Sequence, residues 1–396
     1  MSYYPRRKLV MLPGPTNVPE RVSAAMMKAI INHRGDEFRP LLKSIMAKLQ
    51  HVLETTSDVV VLSSSGTGAV ETAVKNIVRK GDDVVVPVFG EFSTRLAEQA
   101  EEEGANVIRV NEEMGRAPTP DMIEDAARRA KSLKAILLVY NDTSPGTTYR
   151  WLKEVSDIAV ANGGFIVADA ISIVGGDELP QDKWGVDMVV GASQKCLAAP
   201  PGVAFVSVSE RLKRYIEKNP PITSYFNIMK YLDYGSRGET PFTPALPLFF
   251  AFDEALSMVL EEGMQRRIAR HSITASAFYD ALSEAGLHPF VEQQFRSNVV
   301  IAVRHLEGVD DITFRRIVED KFGVILAGGF GKLKGKIFRI GNMGEVNSYH
   351  VLATLNAIGG ALRLMGKIVD SEKMLMTAEN RLKTLERNNP TISGHM

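Results

Sequence analysis

Short runs of Val, Ile and Leu alternate along this chain with longer stretches in which apolar residues return every three or four positions. The short runs predict strands at 59–62, 83–86, 106–110, 135–139, 165–168, 188–190 and 203–208. Amphipathic helices are predicted between them, starting near Gly68, Ser93, Pro120 and Lys153. Strand–helix alternation at this spacing implies an α/β fold with a mainly parallel sheet covered on both faces. Ahead of this region the pattern predicts a proline-rich extended arm (Pro5, Pro13, Pro15, Pro19) and helices at 22–31 and about 40–55.

After Tyr225 the alternation stops. A turn-rich loop at 235–241 precedes one long helical region at about 247–282, which is expected to bridge two domains. Strands at 299–303 and 337–340 then suit a smaller α+β unit, and the charged stretch after Asp370 predicts a solvated helix. The expected organisation is an arm at 1–16, a large domain at 17–265, a small C-terminal domain at 266–386 and a tail at 387–396.

Composition narrows the function. With 396 residues, 45% hydrophobic and 24% charged, the chain has enough material for two domains and a large core. Lys+Arg and Asp+Glu are both 47, so no basic excess invites nucleic acid or an anionic membrane. The one cysteine, Cys196, allows no intrachain disulfide and suits a reducing compartment. No long apolar segment suggests a signal peptide or a membrane span, so the expected location is cytoplasmic.

The candidate chemistry lies where the predicted strands end. Ala168 is followed by Asp169, and the run ending at Val190 leads through Gly191-Ala192-Ser193-Gln194 to Lys195. Ligands of open α/β sheets bind beyond the carboxyl ends of the strands. An amine and a carboxylate there can form a Schiff base with an aldehyde and keep a pyridinium nitrogen protonated. Taken singly, Asp169 can be a helix N-cap and Lys195 a loop lysine.

Ser63-Ser64-Ser65-Gly66-Thr67-Gly68 follows a strand and opens a helix, a setting that favours a phosphate. It lacks the Gly-Lys-Ser/Thr of a nucleotide-binding P-loop, and Glu71 stands where a dinucleotide fingerprint needs its last small residue. Phe89-Gly90-Glu91-Phe92 offers an aromatic ring for a flat cofactor, or simply a core phenylalanine. Tyr140 through Gly146 reads equally as a ligand-binding strand end or as turn chemistry. Arg339, inside the apolar segment Phe338–Ile340, needs a partner: a substrate carboxylate or a structural ion pair. The Gly328–Lys336 loop can bind an anion but reads first as a surface loop, and His33-Arg34 reads equally as a segment facing an active site or as a surface loop.

Together these residues resemble the class V aminotransferases of the alanine–glyoxylate and serine–pyruvate group, which are fold-type I pyridoxal-phosphate enzymes. The resemblance runs from Leu12-Pro13-Gly14-Pro15-Thr16 to Arg339-Ile340-Gly341. It is densest from Ala168-Asp169-Ala170-Ile171-Ser172 to Gly191-Ala192-Ser193-Gln194-Lys195-Cys196-Leu197-Ala198-Ala199-Pro200-Pro201-Gly202. It implies a large domain built on a mainly parallel sheet, a smaller C-terminal α+β domain, and pyridoxal 5'-phosphate as cofactor. Lys195 would carry the cofactor as a Schiff base and move the proton, and Asp169 would pair with the ring nitrogen. Ser65, Gly66 and Thr67 would hold the phosphate, with Gln194 close by. Phe92 would stack on the ring, Ile171 would pack on its other face, and Thr143 would bond its phenolic oxygen. Thr243 would reach the phosphate of a neighbouring subunit, and Arg339 would bind the substrate carboxylate.

The pattern departs from the group at Phe92, where tryptophan is common, and at Thr240, where some members have a tyrosine. The same resemblance implies a homodimer with active sites at the subunit interface. Its implied reaction moves an amino group from alanine or serine to glyoxylate or pyruvate by a ping-pong mechanism, without a metal. An aspartate- or aminophosphonate-specific transaminase, a cysteine desulfurase and a non-catalytic protein of the same fold remain as alternatives.

Overall fold

The computed structural model of the protein describes residues 8–388. The first seven residues of the expected arm, and all but two residues of the expected tail at 387–396, lie outside the described residues. A seven-stranded sheet runs Asp58–Leu62, Ala204–Val208, Met188–Ala192, Phe165–Asp169, Leu133–Val139, Asp83–Val88 and Asn106–Asn111. Six of these strands are parallel, and Ala204–Val208 is antiparallel to both neighbours.

Alternate side chains of each strand enter different cores. Ile136 and Leu138 pack in one apolar layer, while Ala135, Leu137 and Val139 pack in the other. Burial on both faces is why these strands read as unbroken apolar runs. The reversed direction of Ala204–Val208 also has a physical cause. The connection Ser193–Val203 contains no helix, and a parallel return needs a crossover of a dozen residues or more. That short connection carries Lys195.

A second, four-stranded sheet has the order Leu9–Met11, Val324–Gly328, Ile337–Gly341, Val300–Arg304. It shares a separate apolar core with helices Met264–Glu284, Asp311–Phe322, Ser348–Leu364 and Ser371–Asn388. Leu9–Met11 pairs in parallel with Val324–Leu326, so the predicted arm is stitched into this sheet. The single helix predicted at 247–282 is two helices, Leu246–Glu262 and Met264–Glu284. They part at Gly263, whose φ of 81° breaks helical geometry at a residue without a Cβ. The helix predicted at 22–31 is shorter, Glu20–Ala25. No helix among the described residues is long and apolar enough to cross a membrane.

Candidate active site

The parallel strands of the large sheet end on one edge, and a cavity of about 400 Å³ opens there. Asp169 is the last residue of Phe165–Asp169, and Lys195 follows Met188–Ala192 on the short loop. Both line this cavity, together with Ser65, Gly66, Thr67, Phe92, Thr143, Ile171 and Gln194. Nine of the residues singled out in the sequence, drawn from five separate segments, therefore meet at one place. Thr243 does not: it is exposed and borders a separate crevice with Tyr225, Tyr231 and Phe242.

The loop around Lys195 is held from three sides. Ser193 Oγ donates to the Pro200 carbonyl at 2.6 Å. The buried guanidinium of Arg267 donates to the Cys196 carbonyl. From the first strand's extension, Thr16 Oγ1 donates to the Lys195 carbonyl at 3.2 Å, and Lys195 Nζ donates to the Pro13 carbonyl. Gly14 has a φ of 95°, which favours glycine, and a Cβ there would lie 2.5 Å from Lys195 Nζ and push the amine aside. Burial strips water from the ammonium and lowers its pKa from 10.5 to about 8. Asp169 is pushed the other way, from 3.8 to about 6, again by burial. The amide of Ile171 donates to its Oδ1 at 3.0 Å and opposes that rise.

Also on the cavity wall, helix Gly66–Ile77 begins with Ser65 as N-cap, its Oγ accepting from the Gly68 amide at 3.3 Å. The first N–H groups of a helix have no intrahelical acceptor, so this end can receive an anion. Gly66 lets the backbone sit against Ile171, whose Cδ1 would be 2.8 Å from an added Cβ.

The residues that aim Phe92 and Thr143 escaped the sequence reading. Asp142, fully buried, accepts from the Phe92 amide at 3.1 Å, the Ser93 amide at 3.0 Å and Ser93 Oγ at 3.1 Å. Its other oxygen accepts from the Ser144 amide at 3.0 Å and Ser144 Oγ at 2.6 Å. It thus caps helix Glu91–Glu102 from another segment, because Gly90 at the N-cap has no side chain to do so. The space is tight enough that a Cβ on Gly90 would meet the Asp142 carboxylate at 2.4 Å. In sequence Asp142 looked like one more turn residue. Only its adjacency to two others in the same strand end hinted at more.

Arg339 sits on Ile337–Gly341 and reaches across to the large sheet. Its Nε donates to the Gly328 carbonyl at 2.9 Å and its NH1 to the Thr143 carbonyl at 2.7 Å. Among the described residues it makes no ion pair, which disfavours the structural alternative raised by the sequence. Burial lowers its pKa to about 10, and the Asp142 charge partly restores it. Its charge in turn helps to lower the pKa of Lys195.

The comparisons with known proteins bear on what this arrangement is. The family model for class-V aminotransferases matches residues 11–331. This chain belongs to that family. An uncharacterized aminotransferase of Methanocaldococcus jannaschii is 36% identical over 95% of this chain and 98% of its own length. A serine–glyoxylate aminotransferase of Methylorubrum extorquens is 32% identical over 90% of each. The crystal structure of ureidoglycine–glyoxylate aminotransferase from Bacillus subtilis superposes with a TM-score of 0.90 at 28% identity, covering 97% of this chain and all of that one. The class-V aminotransferase described here thus has the fold-type I α/β architecture, and its family is one of pyridoxal-phosphate enzymes.

Proposed function

We propose that this class-V aminotransferase moves an amino group from a small amino acid, alanine or serine, to glyoxylate or pyruvate, using pyridoxal 5'-phosphate. The observation that carries the reading is the meeting of Lys195, Asp169 and the Ser65–Thr67 helix start in one cavity. A bound group is also called for on the cavity wall, where the Gln194 side-chain amide has a buried oxygen without a hydrogen-bond partner among the described residues. Glyoxylate as acceptor is supported by the names of the Methylorubrum and Bacillus relatives, both of which contain it.

In this reading Ser65, Gly66 and Thr67 hold the phosphate, Phe92 and Ile171 take the two ring faces, Thr143 faces the phenolic oxygen, and Asp169 keeps the ring nitrogen protonated. When bound, pyridoxal phosphate supplies a sink for the electron pair left on the substrate Cα. Lys195 anchors the aldehyde and moves the proton at Cα. A pKa of about 8 leaves a useful fraction of the amine neutral near pH 7. Arg339 receives the α-carboxylate through its guanidinium fork, which among the described residues is hydrogen-bonded only to two carbonyls. One cavity serves both substrates, so the donor leaves its amino group before the acceptor enters.

A cysteine desulfurase is disfavoured. Cys196 is buried, its Sγ is 3.3 Å from the Ser172 carbonyl, and burial raises its pKa to about 12. Such a thiol is a packing residue, not a nucleophile.

The test is a half-reaction titration of the cofactor-loaded enzyme. Alanine or serine should bleach the yellow band, and glyoxylate or pyruvate should restore it. Absence of any change with either donor would overturn the reading. Arg339→Lys should keep the yellow colour but need roughly ten- to a hundredfold more donor and acceptor, as expected for a lost charge-assisted hydrogen bond.

A further inference from the structure

The break at Gly263 does more than turn the chain. It lets Glu262, the last residue of helix Leu246–Glu262, face the opening turns of helix Met264–Glu284. There the Glu262 carboxylate accepts from Arg267 NH1 at 2.7 Å, Arg270 Nε at 2.6 Å and Arg270 NH2 at 2.9 Å. Burial would raise the pKa of Glu262, but the two guanidiniums outweigh it and hold the value at about 2. Each arginine also reaches a different loop. Arg267 donates to the carbonyl of Cys196, the residue after Lys195. Arg270 NH1 donates to the carbonyls of Gly344 at 3.1 Å and Val346 at 2.6 Å, in the segment that follows the strand of Arg339. Buried His271 holds the same segment, its Nε2 accepting from the Gly344 amide at 3.2 Å.

The two loops also pack on each other. A Cβ on Gly344 would lie 2.9 Å from that of Ala198. Ala198 has a φ of 55°, in the left-handed region that side chains disfavour and that persists only where the surroundings hold it. A buried ion cluster adds little net stability, because removing its charges from water offsets their attraction. The donors of this one go to the main-chain carbonyls of two segments, one carrying the amine and the other following the carboxylate anchor.

We propose that Arg267 is a positioning residue for the reaction: bonded to the Cys196 carbonyl and to the carboxylate it shares with Arg270, it sets the place of the Lys195 amine relative to Arg339. The inference rests on the transaminase reading above. Arg267 lines no part of the cavity that holds Lys195 and touches neither substrate nor cofactor. Burial, and after it the Cys196 thiol, Arg339 and Asp169, set the proton affinity of Lys195. Arg267 is not one of those groups, so its replacement changes the titration of Lys195 only by moving the loop and admitting water.

The experiment compares the wild-type protein with Arg267→Gln and Arg267→Lys. Arg267→Lys keeps a cation beside Glu262, and so carries the test if Arg267→Gln does not fold, but it lacks the planar fork that joins Glu262 to the Cys196 carbonyl. Melting curves identify the folded variants. The first readout is limited acetylation of cofactor-free protein against pH, with the Lys195 midpoint read by peptide mapping. In each folded variant the midpoint should rise by about half a pH unit or more, toward that of an ordinary lysine. The second readout is alanine turnover by the cofactor-loaded enzymes. There kcat should fall roughly tenfold or more while KM changes less than about threefold, because Arg270 still holds the segment after Arg339. An unchanged midpoint or an unchanged kcat in a folded variant overturns the proposal. Unfolding of both variants makes Arg267 a residue of stability alone and overturns it too. Acetylation needs no substrate, so a wild-type enzyme that fails to turn over alanine sinks the transaminase reading, while the midpoint still decides whether Arg267 places the amine.

Discussion

Lys195 loses its proton near pH 8 instead of at an ordinary lysine's 10.5, because burial removes water from the ammonium form. Asp169 is driven toward its neutral form for the same reason, with a pKa of about 6. A cofactor with an aldehyde and a protonated ring nitrogen answers both: it takes the neutral amine and compensates the carboxylate. The sign of the pH dependence follows. The folded pKa of Lys195 lies below the unfolded one, so its neutral, reactive fraction rises as pH passes through about 8. Limited acetylation of cofactor-free protein, read by peptide mapping, should label Lys195 with a midpoint near pH 8. In urea the midpoint should move to about 10.4, the value of an unperturbed lysine. Equal midpoints in the two states would show that the pocket does not tune this amine.

At the scale of elements, Asp142 joins two segments that the site needs in register. Helix Glu91–Glu102 brings Phe92 and Arg95, and the strand-end turn brings Thr143. One buried carboxylate accepts from both, and Arg339 binds the turn's carbonyl from the small sheet. Asp142→Ala leaves the Phe92 and Ser93 amides without their acceptor. The expected cost is about 2–4 kcal/mol of stability, from lost charged hydrogen bonds and a lost cap. Urea unfolding should report a lower midpoint, and the variant should release pyridoxal phosphate faster on dialysis. An unchanged midpoint would mean that solvent replaces the carboxylate and that the tie is not structural.

For the whole molecule, the informative residue is Thr243. It is exposed and borders no part of the cavity that holds Lys195 in its own chain. The resemblance places it at the phosphate of a neighbouring subunit, so we propose a homodimer in which each copy completes the other's site. Sedimentation equilibrium should then give twice the 43.5 kDa chain mass. Thr243→Ala should weaken pyridoxal-phosphate binding by roughly tenfold, the loss of one hydrogen bond to a charged group. A monomeric mass, or full cofactor affinity in Thr243→Ala, would remove the cross-subunit role.

Local pattern determined a good deal of this protein. Continuous apolar runs marked the core strands because both faces of the large sheet are buried, and Lys195 and Asp169 were legible as polar residues just past such runs. The glycine-rich start of helix Gly66–Ile77 was legible because small residues before an amphipathic period have few other uses. What depends on distant partners was not legible. The direction of Ala204–Val208, the pairing of Leu9–Met11 with Val324–Leu326, and the break at Gly263 were settled only when the chain closed on itself. So were the burial of Asp142 as a cap for another element and the lack of an ion pair on Arg339 among the described residues. Periodicity reports which face of an element is dry. Which segments meet beyond that face is decided by packing between residues far apart in the chain, and the chemistry of this site arises there.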